Sequence, residues 1–290
     1  MIPATFDYHA PQTLDEAIAL LQKSEGAKVL AGGQSLIPAM RFRLIAPETL
    51  VDINRIEGLS YVVVRGDHLA IGALTRESAL EDEPVVAALY PLLHDTARVI
   101  ADPLVRNQAT VGGNLAHADP ANDHPATMLA YGATLVARGP RGVREIDADD
   151  FFVGLFESAL ARDEILTEIR VPAPVAGSGG AYLKIERKVG DYATAAVAVQ
   201  LVVEGGVITS ARVGLTNVSP VPARAKMAED ALRGQALTDA VLEAAGRAAA
   251  AECDPSDDLR GKVDYKRDLV RVLLKRAVTK ACERAGGVKK

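Results

Sequence analysis

Two stretches organise the sequence, Ala31-Gly32-Gly33-Gln34-Ser35 and Thr110-Val111-Gly112-Gly113-Asn114. Each follows an apolar run and interrupts it abruptly. A Gly-Gly pair removes two Cβ atoms and admits positive φ, so consecutive backbone N–H groups can converge on an anion that side chains would otherwise keep away. Gln34, Ser35, Thr110 and Asn114 add donors and acceptors at the rim. One such pair alone reads more readily as a tight turn between elements. Two in one chain point to a single extended ligand held from two sides, and a diphosphate has that shape. Neither stretch is the G-x-G-x-x-G turn of a Rossmann unit, and neither carries the G-x-x-x-x-G-K-[ST] of a P-loop.

Outward from the first stretch, Thr13 and Glu16 form a T-x-x-E capping box. Leu14, Ala17, Ile18 and Leu21 then recur at helical spacing, which predicts a helix over Thr13 to Lys23. Gly26 hands the chain to a strand at Val29-Leu30-Ala31, and Leu50 to Ile53 reads as a further strand of a small α/β unit. Pro38 keeps the segment after the turn from being a long regular helix from its start. Around the second stretch, Tyr61 to Val64 and Leu69 to Ile71 flank Arg65-Gly66-Asp67-His68 as a hairpin. Pro84 opens a helix expected to run through Leu89, Leu92 and Leu93 to Val99. Asp123 and Pro125 open a short apolar helix to Leu129, and Thr134 to Val136 and Ile165 to Val171 read as strands.

Pro172 to Gly180, PAPVAGSGG, has the composition of a linker. Beyond it, Ala195 to Val203 and Val207 to Leu215 flank Glu204-Gly205-Gly206 as a second hairpin. From Ala223 onward, alanine-rich helical spacing takes over. In the last helix Tyr265, Leu269, Val272, Leu273 and Ala277 are expected to share the buried face. The chain thus divides into units at 1–55, 56–175 and 176–290, the last an antiparallel sheet followed by a helical bundle. This is an α+β organisation.

At 290 residues and 49% apolar content, the chain is long enough for two or three cores. No run approaches the roughly 18 to 20 apolar residues of a membrane span, and Met1 leads to Pro3 and Asp7 without a signal segment, so the expected location is the cytoplasm. A net charge of −5 and a pI near 5.6 argue against nucleic-acid binding. The acidic clusters Glu81 to Glu83 and Asp147 to Asp150 and the basic stretch Lys262 to Lys290 read as solvated faces.

Cys253 and Cys282 lie far apart without C-x-x-C spacing, so this chain alone ligates no iron–sulfur cluster or structural zinc. His9, His68, His94, His117 and His124 form no metal-ligand pattern. The loop holding His117, Asp119, Asp123 and His124 reads as a polar, locally bonded turn, and the expected metal set is none. Ser35 lacks a G-x-S-x-G elbow, so hydrolysis has no constellation here.

AGGQS at 31–35, TVGGN at 110–114 and the run DPLVRNQATVGGNLAHADPANDHPA from Asp102 to Ala126 resemble the FAD-binding medium subunit of the molybdenum hydroxylases. That is the family of xanthine dehydrogenase and aerobic carbon monoxide dehydrogenase, and the likeness lies nearest the carbon monoxide dehydrogenase type. It covers nearly the whole chain, and the paired motifs in this order and spacing are its specific part. The resemblance implies a p-cresol-methylhydroxylase-type FAD-binding fold of two small α/β subdomains, covered by a C-terminal α+β domain.

By the same resemblance, Leu30, Ala31, Gly32, Gly33, Gln34, Ser35, Leu36 and Ile37, with Thr110, Val111, Gly112, Gly113 and Asn114, wrap the FAD diphosphate and ribityl chain. Asp123 matches a hydrogen-bonding position. Ile100 and Leu166 match apolar contacts, for which core packing is an equal reading. Tyr192 matches the ring that covers one face of the isoalloxazine, and Lys184, expected earlier in the same strand, a charge near the flavin pyrimidine. The alternatives are a core tyrosine at a sheet edge and a solvated lysine.

The implied role is an electron-transfer subunit. Electrons reach FAD from two-iron two-sulfur clusters on a small partner and pass to an external acceptor. A large partner holds the molybdenum cofactor, and the assembly is a dimer of heterotrimers. The extra cluster that benzoyl-CoA reductase-type relatives carry lacks its cysteines here. A self-contained flavin oxidoreductase and a non-catalytic nucleotide-diphosphate-binding regulator are the competing readings.

Overall fold

The computed structural model of the chain describes residues 2–286. Met1 and residues 287–290, the end of the basic Lys262–Lys290 stretch, lie outside the described residues.

The first unit comprises β1 (Asp7–His9), α1 (Leu14–Lys23), β2 (Ala27–Leu30), α2 (Leu36–Arg41) and β3 (Thr49–Asp52). Its three strands are parallel in the order β1-β3-β2. The cap forms, with the return bond one residue earlier than the box predicts, on Gln12 rather than on Thr13. Thr13 Oγ1 accepts from the Glu16 amide at 3.2 Å, and Glu16 reaches back to the Gln12 amide at 2.9 Å. Ala17, Ile18 and Leu21 of α1 are buried with Val51 and Ile53. Pro38 sits in the first turn of α2, where amides have no intrahelical partner. The helix ends after six residues, at Arg43 with φ 58°.

The second unit contains β4 (Val62–Arg65), β5 (His68–Gly72), α3 (Glu77–Asp82), α4 (Pro84–Leu89), α5 (Pro91–Ala97), α6 (Pro103–Arg106), α7 (Val111–His117) and α8 (Asp123–Tyr131). It continues with β6 (Thr134–Gly139), β7 (Gly142–Asp147), α9 (Ala148–Phe151), β8 (Phe152–Gly154), β9 (Glu157–Ser158) and β10 (Ile165–Pro172). The main sheet is antiparallel throughout, in the order β4-β5-β10-β6-β7. Leu69, Ile71, Leu135 and Ile169 of the sheet share a core with Val86, Leu93, Leu115 and Met128 of the helices. The single helix expected from Pro84 to Val99 is two helices. Pro91 disfavours the α region for the residue before it, and Tyr90 accordingly stands at φ −124°, ψ 61°.

The third unit holds β11 (Ser178–Ile185), β12 (Ala195–Glu204), β13 (Val207–Thr216), β14 (Ala223–Arg224), α10 (Lys226–Leu232), β15 (Gln235–Ala236), α11 (Asp239–Glu252) and α12 (Val263–Arg284). Strands β11-β12-β13-β14 form one antiparallel sheet, with β15 added to β13. One face packs on α10, α11 and α12 through Val197, Val199, Leu201, Val213, Leu274 and Val278. The other face packs on α5 and α8 of the second unit, where Leu92, Ala126 and Ala130 meet Tyr182, Ala196 and Ala198. Helix α8 is therefore covered on both sides, which is why it is buried all round.

Two expectations fail in this unit. The linker is shorter than 172–180, because Pro172 closes β10 and Ser178 already opens β11. Its glycines are packing residues. A Cβ on Gly179 would stand 2.1 Å from the Ala281 carbonyl oxygen of α12, and one on Gly180 would stand 2.9 Å from Leu92 Cβ of α5. In α12 the buried stripe is Lys266, Val270, Leu273, Leu274, Ala277, Val278, Ala281 and Cys282. Tyr265 lies off it and is exposed, since the helix is clasped by both β11–β12 and α11 rather than by one flat face.

Candidate functional site

The first glycine stretch connects Leu30, the last residue of β2, to Leu36 and Ile37 in the first turn of α2. Gly33 adopts φ +73°, a left-handed conformation that favours glycine. The amides of Gly32, Gly33, Gln34 and Ser35 donate to no acceptor among the described residues, although Gly32, Gly33 and Ser35 are half-buried. Four adjacent unpaired donors in a side-chain-poor turn make a concavity suited to an anion.

The second stretch departs from the expected turn. Thr110 caps α7, and Val111, Gly112, Gly113 and Asn114 are its first residues. Their amides are engaged within the protein, Val111 with Thr75 O at 3.0 Å, Gly112 with Ala73 O at 2.9 Å, Gly113 with Thr110 Oγ1 at 3.1 Å and Asn114 with Thr110 O at 2.9 Å. Neither glycine has positive φ. They are small for another reason: a Cβ on Gly112 would stand 2.5 Å from Ala73 Cβ, and one on Gly113 would stand 2.7 Å from Thr110 Oγ1.

The two stretches nevertheless meet. A Cβ on Gly32 would lie 2.3 Å from Gln108 O and 2.7 Å from Ala109 Cα, and one on Gly113 would lie 3.7 Å from Ala31 Cβ. The free amides of one stretch therefore sit against the backbone that leads into the other. Two residues that sequence reasoning passed over join them. Asn54 Nδ2 donates to Ala31 O at 2.8 Å, and Arg76 donates to Gln108 O at 2.8 Å and to Asn54 Oδ1 at 3.0 Å.

Asp123 opens α8 and is buried. Its carboxylate accepts from Tyr182 Oη at 2.6 Å and from Lys184 Nζ at 3.0 Å. Burial pushes the carboxyl up from the ordinary range, against the opposing pull of Lys184 and Tyr182. Burial likewise lifts the Tyr182 phenol well above its usual value. Lys184 is not a solvated lysine: its side chain is 3% exposed and its ammonium also donates to Val99 O at 3.0 Å. A cavity of about 360 Å³ opens beside it, lined among others by Arg98, Val99, Glu186 and Lys280.

Ile100, next to Val99, is buried, and Arg106 fixes its carbonyl at 2.9 Å. Leu166 on β10 is buried among the core residues of the second unit. Tyr192 does not share a strand with Lys184. It lies in the loop between β11 and β12, because β11 ends at Ile185. The residue is 44% exposed, with the Arg260 guanidinium 5.5 Å from the ring centroid. The neighbouring Asp191 is gripped by Arg260 at 2.8 Å and Arg187 at 3.1 Å, which hold its carboxyl at about 2.

The histidines of the 117–124 loop part company. His117 stacks on Phe156 at 5.2 Å, while fully buried His124 bonds Glu77 Oε2 at 2.6 Å. No group of three metal-ligating side chains occurs among the described residues.

Comparison with known proteins matches residues 4–174 to the FAD binding domain in molybdopterin dehydrogenase and residues 180–281 to the CO dehydrogenase flavoprotein C-terminal domain. The chain is 46% identical over 285 residues to the carbon monoxide dehydrogenase medium chain of Hydrogenophaga pseudoflava, covering 98% of this chain and 99% of that one. It is 35% identical to the glyceraldehyde dehydrogenase medium chain of Sulfolobus acidocaldarius, covering 96% and 98%. A solved structure of the Hydrogenophaga pseudoflava carbon monoxide dehydrogenase lacking the Mo-pyranopterin moiety superposes with a TM-score of 0.96 at 48% identity, covering 98% of this chain and 99% of that chain.

Proposed function

The chain belongs to the family of FAD-binding subunits of the molybdopterin dehydrogenases, and from that premise we propose that it is the electron-transfer subunit of a multi-subunit molybdenum hydroxylase of the carbon monoxide dehydrogenase type. It is an oxidoreductase subunit, so the regulatory-module reading gives way. In the proposed assembly a small partner carries the iron–sulfur clusters, a large partner the molybdenum cofactor, and two such heterotrimers pair in the cytoplasm. Among the described residues no helix is long and apolar enough to cross a membrane.

The residues fit FAD, and the unpaired amides of Gly32 to Ser35 at the seam with Gln108 to Gly113 carry the reading. Those amides would hold the diphosphate, with Thr110 and Asn114 from the facing helix at its edge. Leu30, Ala31, Leu36 and Ile37 frame the first stretch, and Val111 seats the second in the core. Asp123, already oriented by Tyr182 and Lys184, keeps further lone pairs for a ligand hydroxyl. Ile100 and Leu166 would form apolar walls. Tyr192 would cover one face of the ring, and Lys184 would stand near its pyrimidine edge. When bound, FAD supplies redox chemistry that no side chain here possesses.

The proposed units are 1–55 and 56–175, which grip the cofactor, and 176–290, which covers it. Relatives named for carbon monoxide and for glyceraldehyde are matched along nearly the same length, so substrate choice is assigned to another subunit.

Titration of the purified chain with FAD and with riboflavin tests the grip. FAD is expected to bind and show a perturbed flavin band, and riboflavin, which lacks the diphosphate, to bind far more weakly. Equal affinity for the two would contradict the diphosphate grip. The isolated holo-chain is expected to accept and pass on electrons without turning over an organic substrate, whereas turnover would favour the self-contained oxidoreductase.

A further inference from the structure

We propose that Asn54 and Arg76 form a positioning bridge that sets the separation of the two glycine stretches, and that Arg76 brings to their seam a positive charge for the anion held there. The inference rests on the flavin reading above and adds residues that lie in neither glycine motif.

The bridge is a continuous chain of hydrogen bonds. Asn54 is fixed just after β3, where its backbone amide donates to Asp52 Oδ1 at 2.9 Å and its Nδ2 donates to the same oxygen at 2.7 Å. That Nδ2 also donates to Ala31 O at 2.8 Å, one residue before Gly32. Asn54 Oδ1 accepts from Arg76 Nη2 at 3.0 Å, and Arg76 Nη1 donates to Gln108 O at 2.8 Å. Gln108 O is the atom on which Gly32 packs, and the backbone of Arg76 itself pairs with Thr110. One planar guanidinium thus touches the first stretch through Asn54 and the lead-in to the second directly.

Both acceptors of the guanidinium are neutral, a carboxamide and a carbonyl oxygen, and no carboxylate pairs with it among the described residues. Its charge is therefore left for a ligand. The fork geometry matters as well as the charge: a lysine carries the charge but cannot present two donors in one rigid plane.

The test uses the full chain, freed of flavin and titrated with FAD, as parent, Asn54→Ala, Arg76→Lys, Arg76→Gln and the Asn54→Ala/Arg76→Lys double variant. Asn54→Ala and Arg76→Lys are each expected to weaken FAD binding about tenfold, and Arg76→Gln to weaken it further because charge is lost too. The thermal midpoint of each flavin-free variant should stay within about 2 °C of the parent, while the rise on adding FAD shrinks. The double variant should bind no more weakly than its worse single, since both changes cut one chain.

Parental affinity in Asn54→Ala and Arg76→Lys would overturn the inference. So would a lowered flavin-free midpoint with an unchanged FAD increment, or a double variant weakened by the product of the singles. A parent chain that itself fails to bind FAD would instead overturn the flavin reading.

Discussion

A Cβ on residue 32 would stand 2.3 Å from the carbonyl oxygen of Gln108, so Gly32 and Gln108 make a contact that only glycine allows. Backbone lies on both sides of it, and neither side can yield by turning a side chain. Gly32→Ala is therefore expected to push the two stretches apart. The stability cost should be about 1–3 kcal/mol, as for overpacking elsewhere, with FAD affinity falling more than about tenfold. Denaturant unfolding of the flavin-free chain and flavin titration measure the two effects separately.

The buried pair of Asp123 and Lys184 makes a second prediction. Lys184→Met leaves a carboxylate buried with only Tyr182 as its polar partner, and a loss of about 3–5 kcal/mol is expected. Lys184 Nζ also stands 3.3 Å from Glu186, so adding Asp123→Asn removes the more deeply buried of the two charges left unpaired and should restore part of the loss. Urea midpoints of the single and double variants check this, and a double variant no more stable than Lys184→Met would contradict it.

Asp191 gives a pH dependence with a definite sign. Arg260 and Arg187 hold its carboxyl at about 2, below the ordinary 3.8. A depressed folded-state value stabilises the folded chain fully above the unfolded value, and that contribution is lost as pH falls towards the folded one. The stability gap between the parent and Asp191→Asn should hold at neutral pH and close between about pH 4 and pH 2. A gap that persists at pH 2 would mean that Asp191 acts through packing rather than charge.

Both cysteines should be chemically silent in the folded chain. Cys253 and Cys282 are buried, and burial raises their thiols to about 12 and about 11, far from the thiolate needed for reaction. Labelling with a disulfide reagent at neutral pH should report almost no thiol in the folded protein and both thiols after unfolding.

Elements with local signatures were legible in the sequence. The T-x-x-E box and its apolar stripe located α1, and glycine-centred loops between β-branched runs located the hairpins β4–β5 and β12–β13. What failed was governed by contacts distant in sequence. Gly179 and Gly180 read as linker because glycine composition is the same for a flexible loop and for a strand pressed against a helix. Gly112 and Gly113 read as a turn for the same reason, although they open a helix on Ala73.

In the site, the meeting of the two glycine stretches was foreseen, but their inequivalence was not. Only the first has free amides, because Thr75, Ala73 and Thr110 occupy those of the second. The burial of Lys184 was not legible, since Asp123, the buried carboxylate it pairs with, is 61 residues away. Asn54 and Arg76, 22 residues apart, carry no motif that pairs them.

The central claim is that the Gly32–Ser35 amides hold the cofactor's diphosphate where the second stretch closes over it. A crystal structure of the FAD-loaded chain tests it most directly. The expected result is diphosphate oxygens within about 2.7–3.2 Å of at least two of those four amides, with Thr110 to Asn114 on the opposite side. A diphosphate bound elsewhere, with the four amides facing only water, would contradict it.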